Sequence, residues 1–253
     1  MSNQPTTRQE QTLCGLHAVQ AALARRPGDV LRLFYAERHE RALADALRGL
    51  AAQRQVFRKV TDGELERLSG SRAHQGLVAV LVSPVVVHTD ARLLQDLAHT
   101  SGVTLALDGV SNPHNLGALA RTAAFLGARG LLLAEQGADS MASAAAWRTA
   151  EGGLETLPVW RSRNLVRDLE SFQAAGGLAV GLAMDGRQTL AQLAGRGRHA
   201  PGWMLVAGAE EIGLRAEVRA ACRQAVRVEG VGAVESLNVG VATGIALERL
   251  ING

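Results

Sequence analysis

The stretch DGVSNPHNLGALAR, residues 108–121, follows the apolar run VTLAL of residues 103–107 and leads into a helical pattern. An uninterrupted apolar run of this kind is typical of a strand buried on both faces of a parallel sheet. The Asn, Pro and Gly residues after it indicate a turn, and we predict a helix over residues 115–126. Such a strand–turn–helix unit predicts an α/β fold, whose ligands bind beyond the carboxyl ends of the strands.

Two further loops in the same half of the chain also follow apolar strands. The first lies in VAGAEEIGL, residues 206–214, where Gly208 and Gly213 permit close backbone approach and Glu210 supplies a carboxylate. The second lies in VEGVGAVESLNVGVA, residues 228–242, and precedes the last helical pattern of the chain. We therefore expect three polar loops at one edge of a parallel sheet.

Each of these loops, taken singly, also has an ordinary structural explanation. Asn115 and Ser236 are both residue types that cap helices, and a glycine-rich turn commonly joins a strand to a helix. Gly230 and Gly232 form a Gly-x-Gly pair, but Glu235 stands where a dinucleotide fingerprint has its third glycine. A dinucleotide-dependent enzyme is therefore the weaker alternative.

Alternating strands and helices extend on both sides of the opening stretch. The pattern predicts a disordered tail over residues 1–12, a small domain over 13–83, a linker over 84–100 and a second domain over 101–253. In the small domain we predict strands at 30–35, 56–60 and 76–82 and helices at 16–26, 38–53 and 61–68. A helix at 91–99 follows in the linker, and the second domain is predicted to have strands at 103–107, 130–134, 157–160, 178–183, 204–207 and 225–228 and helices at 115–126, 140–147, 165–174, 214–222 and 236–250.

Composition indicates a globular protein with a substantial core. Hydrophobic residues make up 47% of the 253 residues and charged residues 20%, and no apolar run reaches the ~18 residues of a membrane span. The polar start of the chain predicts no signal peptide, and two widely spaced cysteines, Cys14 and Cys222, predict a reducing, cytoplasmic location. The net charge is +3, with Lys59 the sole lysine, so charge alone only permits an RNA partner.

Taken together, the three loops resemble in order and spacing the signature motifs of the SpoU/TrmH family of RNA ribose methyltransferases. The matching patterns are Asn115-x-Gly117-x-x-x-Arg121, Gly208-x-Glu210-x-x-Gly213-Leu214 and Gly232-x-x-x-Ser236-Leu237-Asn238-Val239. The resemblance covers residues 103–250, and Arg148-Thr-Ala-Glu-Gly-Gly-Leu-Glu155 is similar to a small-residue segment of the family.

The N-terminal half resembles the ribosomal-protein-like RNA-binding domain of the same family. Gly15-Leu-His-Ala-Val19 opens that domain, and His74-Gln-Gly-Leu-Val78 begins its closing strand. The resemblance therefore implies a small α/β RNA-binding domain followed by a parallel-sheet methyltransferase domain with a C-terminal trefoil knot. It also implies a homodimer that acts on structured RNA, ribosomal or transfer, with neither DNA nor a membrane as partner.

The implied activity is methylation of a ribose 2′-hydroxyl with S-adenosylmethionine and no metal. By resemblance the catalytic residues are Arg121, Asn115, Glu210, Ser236 and Asn238, and the cofactor-binding residues are Gly208, Val228, Leu237, Ile212 and Gly213. A guanidinium stays protonated at neutral pH and is therefore a poor base. Binding an RNA phosphate is thus at least as consistent with the chemistry of Arg121 as removing the proton of the ribose hydroxyl.

Two departures from the family pattern motivate an alternative function. Val228-Glu229-Gly230 replaces an Ile-Pro-Met-like stretch, and Glu211 replaces a common glycine. A non-catalytic RNA-binding protein that retains the fold is therefore the main alternative. The polar residues of all three motifs remain in place, which favours an active enzyme.

Overall fold

The structure, a computed structural model, describes residues 9–193, 199, 201–230, 232–234 and 236–253. The chain divides into two compact units whose boundary falls between Val85 and Val86. Of the tail predicted over residues 1–12, residues 1–8 lie outside the described residues, and the rest of it is corrected because a strand begins at Glu10.

The first unit is a four-stranded sheet with three α-helices. Its elements are β1 (Glu10–Cys14), α1 (Leu16–Arg25), β2 (Val30–Tyr35), α2 (Ala44–Ala52), β3 (Val56–Lys59), α3 (Asp62–Ser69) and β4 (Leu77–Val82), with short 3-10 helices at Pro27–Asp29, Glu37–His39 and Arg72–His74. The strand order is β1-β4-β2-β3, in which β4 is antiparallel to both neighbours and β2 is parallel to β3.

The helix predicted over residues 38–53 is shorter in the structure. A 3-10 turn occupies Glu37–His39, and the α-helix begins only at Ala44. Lys59 at the end of β3 lies 3.3 Å from the carboxylate of Glu37 and 3.0 Å from that of Glu40. Both ion pairs join the segment before α2 to the end of β3.

The second unit contains all the predicted loops of interest. Its elements are β5 (Val87–His88), α4 (Ala91–His99), β6 (Val103–Asp108), α5 (Pro113–Leu126), β7 (Gly130–Ala134), α6 (Ala144–Ala150), α7 (Gly153–Thr156), β8 (Val159–Ser162), α8 (Leu165–Ala174), β9 (Leu178–Leu182), β10 (Gln188–Thr189), β11 (Trp203–Gly208), α9 (Ala216–Ala221), β12 (Gln224–Arg227) and α10 (Val239–Ile251), with 3-10 helices at Ala138–Ala142 and Leu190–Leu193. The eight strands are all parallel and run in the order β10-β12-β9-β11-β6-β7-β8-β5.

Helices cover both faces of this sheet, as the uninterrupted apolar strands predict. On one face α4, α8 and α9 pack on side chains such as Ala106, Leu132 and Met204. Neighbouring residues of the same strands, including Leu105 and Leu131, point to the opposite face and are equally buried. On that face α5 packs against α6, α7 and α10. The result is a three-layer α/β unit with its carboxyl edge open for a site.

Several predicted boundaries in this unit are corrected by the structure. Helix α4, predicted within a linker over 84–100, packs against α8 and belongs to the second unit. The predicted helices at 214–222 and 236–250 begin only at Ala216 and Val239, and the strand predicted at 157–160 occupies Val159–Ser162. No helix among the described residues is long and apolar enough to cross a bilayer.

Candidate active site

Three loops that are far apart in sequence meet at the carboxyl edge of the second sheet. Asp108 and Gly208 are paired neighbours at the ends of β6 and β11, so the loops after these strands start side by side. Helix α10 packs against α5, which brings the segment before α10 to the same edge. The parallel register therefore assembles the three predicted motifs at one place.

Three polar side chains from these loops form a closed hydrogen-bond network. The Asn115 amide donates to Glu210 Oε2 at 2.9 Å, and the Asn238 amide donates to Glu210 Oε1 at 2.9 Å. Asn238 also approaches Asn115 Oδ1 at 3.4 Å. Both carboxylate oxygens of Glu210 thus accept an amide N–H, which fixes the carboxylate in place.

Helix capping explains how the two asparagines become available for this network. Asn112, and not Asn115, caps α5, because its side chain accepts the backbone N–H of His114 at 2.9 Å. Asn238, and not Ser236, caps α10 by accepting the N–H of Gly240 at 2.9 Å. That bond fixes Asn238 Oδ1 toward its own helix, so its amide N–H faces Glu210. The capping alternative considered for Asn115 and Ser236 is therefore wrong.

Ser236 is less constrained than the other motif residues. It lies in the exposed loop just before α10, and within the described part of the chain we find no hydrogen bond from its side chain. Its catalytic role accordingly stays a prediction.

Arg121 lies near the network but pairs with a different residue. Its Nη1 is 3.0 Å from Oε1 of Glu151, at the end of α6, and the two side chains are 57% and 34% exposed. No described contact joins Arg121 to Asn115, Glu210 or Asn238. Sequence reasoning assigned no role to Glu151, although it lies in the family-like segment 148–155 directly before Gly152 and Gly153.

A buried ion pair fixes the loop after β11 to the end of β6. The Asp108 side chain is 0% exposed and lies 2.7 Å from both Nε and Nη2 of Arg215. Its second oxygen accepts the backbone N–H of Arg215 at 2.9 Å. Sequence reasoning missed this pair because the two residues are 107 positions apart.

The thiol of Cys222, in α9's C-terminal cap, is not a nucleophile at neutral pH. Burial, and secondarily the negative charge of Asp108, raises the pKa of this thiol to about 12.

The predicted cofactor residues differ in what surrounds them. A Cβ on Gly208 would lie 2.1 Å from the backbone of Gly213, so Gly208 lets the chain fold tightly back on itself. Gly213 has a φ of +65°, which favours glycine. Val228 is half-buried, whereas Ile212 is 77% exposed and Leu237 is exposed as well.

Exposed apolar side chains cluster on the loops of this edge. Met184 after β9, Ile212 after β11 and Val234 and Leu237 before α10 are all exposed although large and apolar. Such a group at a carboxyl edge fits an apolar ring system held among backbone polar groups. Glu229, which departs from the family pattern, is also exposed, and its carboxylate lies 3.8 Å from the guanidinium of Arg227. Among the described residues no group of three His, Cys, Asp or Glu side chains is arranged to hold a metal ion.

Comparison with known sequences agrees with this division into two units. The profile described as "SpoU rRNA Methylase family" matches residues 102–248, and the profile described as "RNA 2'-O ribose methyltransferase substrate binding" matches residues 12–84. A protein of Burkholderia sp named 23S rRNA (guanosine-2'-O-)-methyltransferase RlmB is 37% identical over 236 residues, which cover 93% of each chain.

Solved structures show the same architecture. The SpoU methyltransferase AviRb from Streptomyces viridochromogenes superposes with a TM-score of 0.72 at 25% identity, over 99% of this chain and 92% of that chain. An AdoMet-bound rRNA methyltransferase from Sinorhizobium meliloti superposes with a TM-score of 0.77 over 96% of this chain and 87% of that chain. At 23% identity the second likeness shows the fold alone.

Proposed function

We propose, because the chain belongs to the SpoU rRNA methylase family, that this S-adenosylmethionine-dependent RNA methyltransferase modifies the ribose 2′-oxygen of a guanosine in 23S rRNA. The Burkholderia relative named for that reaction is similar over nearly the whole of both chains. The strongest support from the fold is that Asn115, Glu210 and Asn238, up to 123 positions apart, meet in one network at the carboxyl edge. A ribosomal RNA substrate places the reaction in the cytoplasm.

The residues of the edge fit S-adenosylmethionine. Ile212, Leu237 and Met184 offer exposed apolar surface for an adenine ring, and backbone groups near Gly208 and Val228 offer hydrogen-bond partners. When bound, S-adenosylmethionine supplies a sulfonium methyl group that is open to nucleophilic attack. The protein's part is to place the ribose oxygen in line with that methyl group and to let the hydroxyl proton leave.

Arg121 and the asparagine–glutamate network divide this work. Arg121 is exposed on α5, where a guanidinium can hold an RNA phosphate through two parallel N–H groups. The network, one turn and a half earlier at the start of α5, fixes the loop after β11 relative to α10. Arg121 thus orients the nucleotide, while Asn115, Glu210 and Asn238 shape the pocket that receives it.

We propose that the first unit also binds the RNA substrate. The profile for substrate binding covers residues 12–84, and this unit carries exposed arginines at positions 25, 41, 54 and 67. Their positive charge favours the phosphates of a structured RNA. We propose that this unit recruits the rRNA and that the second unit carries out the transfer.

The chain after β12 is proposed to form the trefoil knot of the family. Strand β12 lies two positions from β11 in the sheet, yet α10 packs against α5 and against β11 and β6. The chain therefore leaves β12 at one place in the sheet and begins α10 beside α5, where Asn238 bonds to Glu210. This change of position supports a threaded C-terminal segment.

An apolar groove between α5 and α10 supports a homodimer. The groove has a volume of about 550 Å³ and is lined by residues that include Arg121, Phe125 and Ile245. Phe125 is 88% exposed, and Val241 and Ile245 are also exposed. An apolar patch of this kind on a helix pair is typical of a protein interface. We propose that a second copy of the chain covers the apolar part of this groove, around Phe125 and Ile245, and leaves the Arg121 guanidinium open to RNA.

Phe125→Asp should convert the dimer to a monomer, because a carboxylate at the centre of an apolar interface is desolvated without a partner. Sedimentation velocity of the variant beside the wild type measures the change. The control is Arg92→Asp, which changes an exposed residue of α4 on the opposite face of the sheet. A Phe125→Asp protein with the sedimentation of the wild type would show that this groove is not the interface.

Asn238→Ala should lower the rate of methyl transfer by roughly 10- to 100-fold, because it removes one amide from Glu210 and the cap from α10. The expected loss for Ser236→Ala is smaller, since Ser236 makes no described hydrogen bond. Initial rates with saturating cofactor and RNA give the comparison. Rates unchanged in both variants would remove both residues from the site.

Transfer of labelled methyl to separated RNA fractions tests the proposed substrate. The RNAs come from a strain that lacks this gene, and 23S rRNA and tRNA are offered separately at equal concentration. We expect label in 23S rRNA and none in tRNA. Label in tRNA alone would overturn the rRNA assignment, and label in neither, with cofactor bound, would favour the non-catalytic RNA-binding alternative.

A further inference from the structure

Arg121 is held by a carboxylate whose backbone is itself fixed. The helices α5 and α6 pack so closely that a Cβ on Gly117 would lie 2.5 Å from the carbonyl oxygen of Ala146. On the other side of Glu151, a Cβ on Gly153 would lie 2.8 Å from the carbonyl oxygen of Ala120. Glu151 therefore lies between two close backbone contacts with α5, the helix that carries Arg121. These contacts fix the distance between the backbones of Glu151 and Arg121.

The backbone at Glu151 adopts a conformation that its residue type disfavours. Glu151 ends α6 in the left-handed region, with φ 45° and ψ 43°, and Gly152 follows with φ 94°. Glycine adopts this conformation more readily than any residue with a Cβ. Backbone preference therefore does not explain a glutamate at this helix end. Its side chain instead forms the ion pair with Arg121.

The ion pair leaves most of the guanidinium free for another anion. Glu151 Oε1 lies 3.0 Å from Nη1 of Arg121, and a guanidinium carries five N–H donors in a planar fork. The pair therefore restricts the long Arg121 side chain without occupying the remaining donors. A restricted side chain loses less conformational entropy when it binds a phosphate.

We propose that Glu151 is a positioning residue that orients the Arg121 guanidinium for the RNA phosphate. This inference rests on the proposed function, because it assigns Glu151 a part in the same transfer. Glu151 acts through Arg121 and need not touch the reacting atoms. Its removal should therefore change the turnover rate more than the affinity for the cofactor.

The experiment compares Glu151→Gln, Glu151→Gly and the control Glu170→Gln with the wild type. Glu170 is an exposed residue of α8, on the face of the sheet opposite to α5. We expect both Glu151 variants to lose about 10-fold in kcat, with the KM for S-adenosylmethionine unchanged within twofold. We expect the control to keep the wild-type values.

Glu151→Gly separates positioning from a merely structural role. Because glycine suits the left-handed backbone at this position, its thermal midpoint should equal or exceed that of the wild type. A kcat within twofold of the wild type in both Glu151 variants would overturn the inference, as would a loss of kcat that accompanies a lower thermal midpoint in Glu151→Gly. Absence of transfer by the wild type would instead count against the proposed function, and Arg121→Ala assayed in parallel marks the background rate.

Discussion

Arg121→Ala is expected to abolish methyl transfer, with a fall in rate of about 1,000-fold or more, while cofactor affinity stays within a few fold. The Arg121 side chain lines the groove between α5 and α10 and pairs only with Glu151 among the described residues. It makes no described contact with the exposed apolar residues assigned to the cofactor. Loss of the Arg121 cation removes both the orientation of the nucleotide and the stabilisation of negative charge on the RNA.

Two measurements check this expectation. Initial rates of labelled methyl transfer give the loss of activity, and calorimetric titration with S-adenosylhomocysteine gives the cofactor affinity. Arg167→Ala is the matched control, because Arg167 is an exposed arginine of α8 on the other face of the sheet. Loss of cofactor binding or of folding in Arg121→Ala would refute the role assigned here, and so would a rate near that of the control.

Arg215→Met is expected to lower the free energy of unfolding of the second unit by about 3 kcal/mol. The substitution leaves the carboxylate of Asp108, which is 0% exposed, without its guanidinium partner. Removal of one partner from a buried ion pair typically costs ~3–5 kcal/mol, and the 32% exposure of Arg215 places the effect at the lower end. The same change should weaken S-adenosylhomocysteine binding, because Arg215 fixes the loop after β11.

Tryptophan fluorescence during urea unfolding reports on this unit alone, because Trp147, Trp160 and Trp203 all lie in it. The matched control is Arg219→Met, which removes an arginine of α9 whose partner Asp185 is largely exposed. Exposed ion pairs contribute little, so the control should unfold at the wild-type urea concentration. Equal midpoints for Arg215→Met and Arg219→Met would show that Asp108 and Arg215 do not hold the loop.

Local signals in the sequence predicted much of the second unit. Helices α4 and α8 have the predicted bounds, because each combines a clear apolar period with a cap, Asp90 or Asn164. Strand β7 has them because its residues form one short uninterrupted apolar run. Parallel pairing followed from apolar strands without alternation. Strand β1 was missed because its polar residues alternate with apolar ones only briefly, and its pairing partner β4 lies more than 60 residues away.

The candidate site could be predicted only as far as its motifs. The order and spacing of the three motifs predicted Asn115, Glu210 and Asn238, and the structure brings these residues together. The capping roles considered as alternatives for Asn115 and Ser236 are wrong, because Asn112 and Asn238 cap these two helices. Glu151 lies in the segment 148–155 that resembles the family and Arg215 lies in none of the motifs, but the ion pairs of both exist only after folding.

The most direct test of the central claim is the identity of the methylated nucleoside. Purified enzyme, labelled S-adenosylmethionine and 23S rRNA from a strain without this gene are incubated, and the RNA is digested to nucleosides for mass spectrometry. We predict 2′-O-methylguanosine with the wild type and none with Arg121→Ala. A guanosine methylated on its base, or unmodified rRNA after incubation with folded, cofactor-bound enzyme, would contradict ribose methylation as the function of this chain.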